Sequence, residues 1–365
     1  VLLPFLRLPP GLLTHLVIFL TVRYDSLLVF AVTLCLHQPP GRRTKMNADK
    51  ELARLLHEAW GEERLAVAMD RRLGRAVRRR VSQGRLVMPL RGLFYARADW
   101  ERLGSVERTL FLARAFHVAY GPSMFCDVTA ATAYGIEVTY RLLGDLHVCM
   151  SRTSTRSNRC GVRFHCVDGD DPCDVDKGLR VTSPARTVVD CARRLGIPEG
   201  VVIADSALHK GIVTRDELDL QLMRMRRSTG IGNAREVVRL SNGLAESGGE
   251  TLARLLFERL GYAAPELQVV VTSPMNGETY RVDFCWTLPD GSLVLGELDG
   301  HEKHVNPDMT HGETPVEVLE RERLRESYLT ATGARVMRFS YADLLDERHM
   351  RTLLDAFEIP RRTDS

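Results

Sequence analysis

Between residues 48 and 100 the spacing of apolar positions changes twice. Leu52, Leu55 and Leu56 recur at i, i+3 and i+4, which predicts a first helix, and Leu65 to Met69 predicts the start of a second, short one. Leu73, Val77 and Val81 line one face of a third, over Arg71–Arg80, which stops at Gln83-Gly84. Two short strands follow, Arg85 to Pro89 and Leu93 to Ala96, turned at Arg91-Gly92.

Helices and then a hairpin, with a basic helix just before the hairpin, is the element order of a winged helix-turn-helix, expected over residues 46–100. Residues 101–240 read as a mixed α/β middle domain. Strands are predicted at Leu146 to Met150 and Val162 to Cys166, and helices at Ser183 to Leu195 and Gly200 to Lys210. Pro184 stands in the first turn of its helix, where the missing N–H costs nothing. Arg226 to Asn233, with Ser, Thr and two glycines, reads as a linker.

From Ser241 the pattern resumes with a helix, Gly248 to Leu260, that puts Leu252, Leu255, Leu256 and Leu260 on one face. Strands at Gln268 to Thr272, Tyr280 to Trp286 and Ser292 to Leu298 follow, the last two joined by the turn Pro289-Asp290-Gly291. A long helix, Thr314 to Thr332, leads into a strand, Arg335 to Ser340. Residues 241–365 are therefore expected to form an α/β layer, and the fold class of the chain is α/β with several domains.

Residues 1–45 stand apart, with one acid, Asp25, and two apolar runs, Leu12 to Val22 and Leu27 to Leu36. Each run is shorter than the ~20 residues that span a bilayer, and joining them would bury Arg23 and Asp25 mid-span. Only Arg7 offers a basic start and no A-x-A site follows, so a secretory signal is also a poor fit. The segment reads as an upstream extension of the reading frame ahead of Met46, or as an apolar leader; a membrane is not an expected partner.

The 365 residues are 44% hydrophobic and 27% charged, which excludes a disordered chain and a multi-span membrane protein. Eight scattered cysteines, with no CxxC pair and no histidines at zinc spacing, read as reduced thiols of a cytoplasmic protein. The net charge of +3 is uninformative until it is divided along the chain. Residues 46–100 hold 12 basic and 7 acidic groups, net +5, whereas residues 101–365 sum to −6. The basic excess lies on the predicted third helix and hairpin: Arg71, Arg72, Arg75, Arg78, Arg79 and Arg80, then Arg85 and Arg91. Such a run would neutralise several phosphates of double-stranded DNA, with Arg71, Arg72 or Arg75 placed for base readout at the helix start.

The acidic end carries the other candidate chemistry. Glu297 and Asp299 are two apart on one predicted strand and share a face, and a hairpin brings Asp283 toward them. Converging carboxylates repel one another unless protons or a cation intervene, and hard oxygen donors suit Mg²⁺ or Mn²⁺. Ser247-Gly-Gly-Glu250 is a capping box at a helix start, which leaves Glu250 with either a structural or a catalytic role.

These segments, Ser-Gly-Gly-Glu250, Arg-Val-Asp283-Phe-Cys-Trp, Gly-Glu297-Leu-Asp299-Gly-His and Arg325-Glu326 to Arg335-Val-Met-Arg-Phe, resemble the restriction-endonuclease-like proteins related to very-short-patch-repair endonucleases. The resemblance covers about residues 244 to 345. It implies a PD-(D/E)XK-type domain in which Asp283 and Glu297 bind the metal and Glu250 assists, with His304, next to Lys303, at the place of a functional histidine. Asp299 stands where that pattern usually has Lys. Arg325 is placed to contact a phosphate, or belongs to the charged outer face of its helix, Glu317 to Glu326.

Residues 50 to 225 resemble actinobacterial proteins with an abortive-infection type IV antitoxin amino-terminal domain. The segments that carry this are Arg78-Arg-Arg-Val-Ser-Gln-Gly-Arg-Leu-Val, Arg91-Gly-Leu-Phe-Tyr95 and Val181-Thr-Ser-Pro-Ala-Arg-Thr-Val-Val-Asp190. The resemblance implies a winged helix paired with a middle domain, operator DNA and a cognate toxin as partners, and Ala131, Arg186 and Asp190 as residues that hold the middle domain together. Two functions follow. One is a Mg²⁺-dependent DNA endonuclease with Glu250, Asp283, Glu297, Asp299 and His304 in its site. The other is a DNA-binding antitoxin or transcriptional regulator whose nuclease-like domain is inactive.

Overall fold

The computed structural model describes residues 48–151, 153–154, 157–167, 173–175, 178–299 and 315–362, without the side chains of 174 and 315–322. Residues 1–45, His304 and Lys303 lie outside these. The chain is mixed α/β, as expected, with three separate sheets among the described residues. No helix among the described residues is long and apolar enough to cross a membrane.

The first segment comprises α1 (Ala48–Gly61), β1 (Ala66–Val67), α2 (Arg71–Ser82), β2 (Leu86–Leu90) and β3 (Leu93–Ala96), with strand order β1-β3-β2. Leu65 to Met69, expected to begin a helix, instead forms β1, whose Ala66 and Val67 pair with Phe94 and Leu93. A five-residue apolar run has no period that separates helix from strand. Here Asp70 decides, because its carboxylate accepts from Arg72 N (2.8 Å) and Leu73 N (2.9 Å) and so starts the next helix at Arg71. Leu73 and Val77 turn inward onto Leu52, Leu86 and Phe94, which leaves the arginines of α2 outside.

The middle segment runs through α3 (Arg97–Arg102), α4 (Ser105–Tyr120), β4 (Met124–Phe125), α5 (Asp127–Ala133), β5 (Leu146–Met150), β6 (Val162–Cys166), β7 (Cys173–Val175) and β8 (Leu179–Val181). Its strands order as β6-β5-β4-β8-β7. A helical layer follows: α6 (Pro184–Arg194), α7 (Ile197–His209), α8 (Arg215–Arg224) and α9 (Ile231–Leu240). Within it Asp190 is fully buried and accepts from Arg186 Nε (2.8 Å) and Arg193 Nε (2.6 Å), so the Arg186–Asp190 pair does join α6 internally.

The expected linker, Arg226 to Asn233, is instead a packed turn that runs into the first residues of α9. Asn233 Nδ2 donates to the carbonyls of Ala192 (2.6 Å) and Leu195 (3.0 Å). Gly230 has φ +79°, and a Cβ there would lie 2.2 Å from Arg193 O. Gly230 thus serves close approach of backbone to backbone.

The last segment holds α10 (Gly248–Arg259), β9 (Glu266–Thr272), β10 (Thr279–Thr287), β11 (Leu293–Asp299), α11 (Pro315–Thr330), β12 (Arg335–Ser340), α12 (Tyr341–Leu344) and α13 (Glu347–Ala356). Strand order is β12-β11-β10-β9. The first three strands in the chain pair antiparallel, and β12 lies parallel to β11, the pairing that needs a crossover such as α11. Phe257 of α10 meets Phe284, Trp286 and Phe339 edge-on at 5.3–5.8 Å between ring centres, which fixes α10 on the sheet.

α10 is also tied to α7. Buried Asp205 accepts from Thr251 Oγ1 (2.9 Å) and Arg254 Nη2 (2.6 Å), and Glu137 Oε1 accepts from Gly248 N (2.9 Å). The helix that begins the carboxylate-bearing segment is therefore anchored on the segment before it.

Candidate functional site

Strand register brings the acidic residues together. Phe284 faces Gly296 across β10 and β11, and the next pair in that antiparallel register is Asp283 with Glu297. Asp283 Oδ2 accepts from Leu298 N at 2.9 Å, which holds its carboxylate at the end of the hairpin. Glu250 reaches the same end from the first turn of α10. Gly249 allows this, since a Cβ there would come within 2.6 Å of Leu298 Cδ2 on β11.

Glu250 takes part in capping its helix and also reaches β9. Ser247 Oγ donates to Oε1 (2.8 Å) and accepts from Glu250 N (3.2 Å), so the helix is capped. Oε2 meanwhile accepts from Glu246 N (2.9 Å) and Gln268 Nε2 (2.8 Å). Burial pushes the Glu250 carboxyl above its ordinary range, and the nearby charge of Asp283 adds to that, against the hydrogen bonds from Glu246, Ser247 and Gln268.

Glu297 is as deeply buried as Glu250, at 7% accessible. Burial raises its pKa; Arg325 and Arg338 oppose this, and Asp283 and Asp299 reinforce it. Arg325 Nη2 lies 2.7 Å from Glu297 Oε1 while it donates to Arg281 O at 2.6 Å. Charge is thus matched, but Oε1 is buried and receives no hydrogen bond. Arg325 Nη2 stands against that oxygen as an ion pair, so a cation at Oε1 would take the place of the guanidinium.

Asp299 leaves this group. It accepts from Arg338 Nε (2.9 Å) on β12, whose Nη1 is also 3.9 Å from Glu326. The place where the endonuclease pattern has Lys thus holds an acid paired to an arginine of the neighbouring strand.

Two residues here escaped the sequence reading. Gln268, opposite Asp283 on β9, has φ +53°, a conformation unfavourable for a residue with a Cβ and worth roughly 1–3 kcal/mol of strain. Its side chain orients Glu250. A positive φ leaves no signature in a run such as Glu-Leu-Gln-Val-Val-Val-Thr. Arg338 was invisible for a different reason: its contact with Asp299 depends on the parallel register Glu297↔Arg338 and Asp299↔Ser340.

At the other end of the chain the structure sorts the arginines. Arg72 pairs with Glu51 and Arg80 with Asp49, both acids in the first turn of α1, and Arg80 Nη1 also donates to Ala76 O at 2.9 Å. These two brace α2 on α1. Arg71, Arg75, Arg78, Arg79, Arg85 and Arg91 are exposed. Of these, Arg71, Arg75, Arg78 and Arg91 line a cleft of about 820 Å³ between α2 and the β2–β3 turn, and Arg159 and Tyr120 complete its far wall. Arg159 is a further cation that linear spacing did not associate with α2.

No family model matches the chain, and no solved structure matches it. It does have relatives. Uncharacterized proteins of Mycobacterium tuberculosis, from strains CDC 1551 / Oshkosh and H37Rv, are each 31% identical to it over 194 residues. The match takes in 51% of this chain and 66% of each relative, so the chain spans just under two thirds of their length.

Proposed function

We propose that the protein binds duplex DNA through the arginines of α2 and the β2–β3 turn, and that its Glu250–Asp283–Glu297 group is a Mg²⁺ or Mn²⁺ site of an endonuclease-like domain. The observation that carries the reading is the approach of Asp283 on β10, by strand register, to Glu297 on β11, with Glu250 of α10 near enough to feel its charge. The donors are all hard oxygens, which fits such an ion. Asp283 and Glu297 would hold it, and it would supply an activated water and neutralise charge developing on a phosphodiester.

The chain's own residues have defined parts. Gln268 and Glu246 N orient Glu250. Leu298 N fixes Asp283, and Arg325, held on Arg281 O, keeps a cation beside Glu297 where a phosphate would approach. The winged helix is proposed on the order β1-β3-β2 and on α2 presenting its basic face outward.

One observation favours a second reading, a DNA-binding antitoxin or regulator with an inactive nuclease-like domain and a cognate toxin as partner. The Arg338–Asp299 pair replaces the expected Lys by a neutralised acid. Cleavage of plasmid DNA in Mg²⁺ or Mn²⁺ by the wild type and by Asp283→Ala separates the two. Loss of nicking in the variant supports the endonuclease, and equal behaviour of both proteins leaves the regulator.

A further inference from the structure

His147 and His165 are 18 residues apart and carry no metal-binding spacing. Parallel pairing of β5 with β6 makes them neighbours: His147 faces Arg163 and Cys149 faces His165, so the two imidazoles stand on one face, diagonal to each other. Their rings stack 10° from parallel, 5.0 Å between centres, with His147 Nδ1 3.0 Å from His165 Nε2. Asp127, at the start of α5, brings its Oδ1 to 3.8 Å from His147 Nδ1. All three ligand atoms fall within 4.8 Å of one another.

These distances suit one ion. Tetrahedral zinc at about 2.05 Å from each donor separates neighbouring donors by about 3.3 Å, and 3.0 and 3.8 Å bracket that value. The carboxylate is also preset. Asp127 is 1% accessible and has φ +53°, a strained backbone for a non-glycine residue. Its Oδ2 accepts from Arg194 Nη1 (2.7 Å), and Oδ1 accepts from Val128 N (2.9 Å) and Cys191 Sγ (3.4 Å). Arg194 is balanced in turn by Asp190, 3.6 Å away. Such outer partners aim a metal-ligating carboxylate.

We propose that Asp127, His147 and His165 form a binding site for a borderline-soft divalent ion of the zinc class. Two imidazoles select zinc over magnesium, in contrast to the all-oxygen group of Glu250, Asp283 and Glu297. Both histidines are partly exposed, which gives the ion a way in. A water fills the remaining coordination position. Because the ligands come from α5, β5 and β6, the ion cross-links the helix to the sheet. The site does not depend on the proposed DNA or nuclease function.

The test is cobalt and zinc binding by the full chain after chelator treatment. One equivalent of Co²⁺ should give the visible ligand-field absorption of a tetrahedral site, Zn²⁺ should displace it, and Zn²⁺ should raise the Tm of the wild type. His165→Gln and His147→Gln should each lose the absorption, with affinity falling by more than the roughly 10–100-fold cost of an outer-shell partner. Asp283→Asn should keep it, which separates this site from the carboxylate group. Absence of the absorption and of the zinc-dependent Tm rise in the wild type overturns the proposal whether or not the variants fold, and the two imidazoles are then joined by a hydrogen bond alone. Retention of the absorption in both histidine variants also overturns it.

Discussion

Removal of Arg75, Arg78 and Arg91 should weaken DNA binding in a way that salt can diagnose. The three side chains line the same cleft beside α2, while Arg72 and Arg80 are engaged by Glu51 and Asp49. Counterion release makes each lost phosphate contact flatten the slope of log K against log salt by ~0.9, which at ~0.1 M salt is ~8-fold in affinity. The Arg75→Ala/Arg78→Ala/Arg91→Ala variant is therefore expected to bind ~500-fold more weakly, with a slope flatter by ~2.7. Fluorescence anisotropy of a labelled duplex across a salt series reads both quantities. Arg72→Ala/Arg80→Ala is the matched control of equal chemistry. It should leave the slope nearly unchanged and lower stability only slightly, because ion pairs with one solvent-exposed partner contribute about 0–1 kcal/mol each. An unchanged slope in the triple variant, or an equal flattening in the control, refutes the assignment of the cleft arginines to phosphate contact.

Three further outcomes are expected. Asp190→Asn leaves Arg186 and Arg193 without their buried partner and should destabilise by about 3–5 kcal/mol, measured by urea unfolding. Burial pushes the Asp190 carboxyl up, but Arg194 and Arg186 more than reverse this and hold it below its ordinary value. Its contribution is therefore complete above the unfolded pKa of ~3.9 and lost as pH falls through the folded one, so the Tm of the wild type should drop more steeply than that of the variant in that acid range. Gly230→Ala should lower Tm because the new Cβ meets Arg193 O, whereas Gly232→Ala, on an open face of α9, should raise stability by about 0.5–1 kcal/mol.

Much of the local structure was legible in the sequence. The strands Leu146–Met150, Val162–Cys166 and Arg335–Ser340 have the limits expected of them, and α2 starts at Arg71 as its apolar face requires. These segments have a clear period or a clear stop. The two misreadings lack both. Leu65 to Met69 is too short to show a period, and its pairing with Leu93 and Phe94 made it a strand. Arg226 to Asn233 has linker composition, yet its Gly230 is demanded by contact with Arg193 O.

For the site, the sequence by itself determined which residue types are available and which of them share a strand face or a helix turn: Glu297 with Asp299, Glu250 with its cap, and six arginines on one helix. It did so because those relations follow from the fixed geometry of a strand or helix over a few residues. Only the tertiary structure decided partnership across elements. Register set Asp283 against Glu297 and moved Asp299 to Arg338; packing of α2 on α1 withdrew Arg72 and Arg80; and pairing of β5 with β6 joined His147 to His165 beside Asp127. Each of these contacts lies within a few ångströms in space but many residues apart in the chain, and no local pattern encodes such a distance.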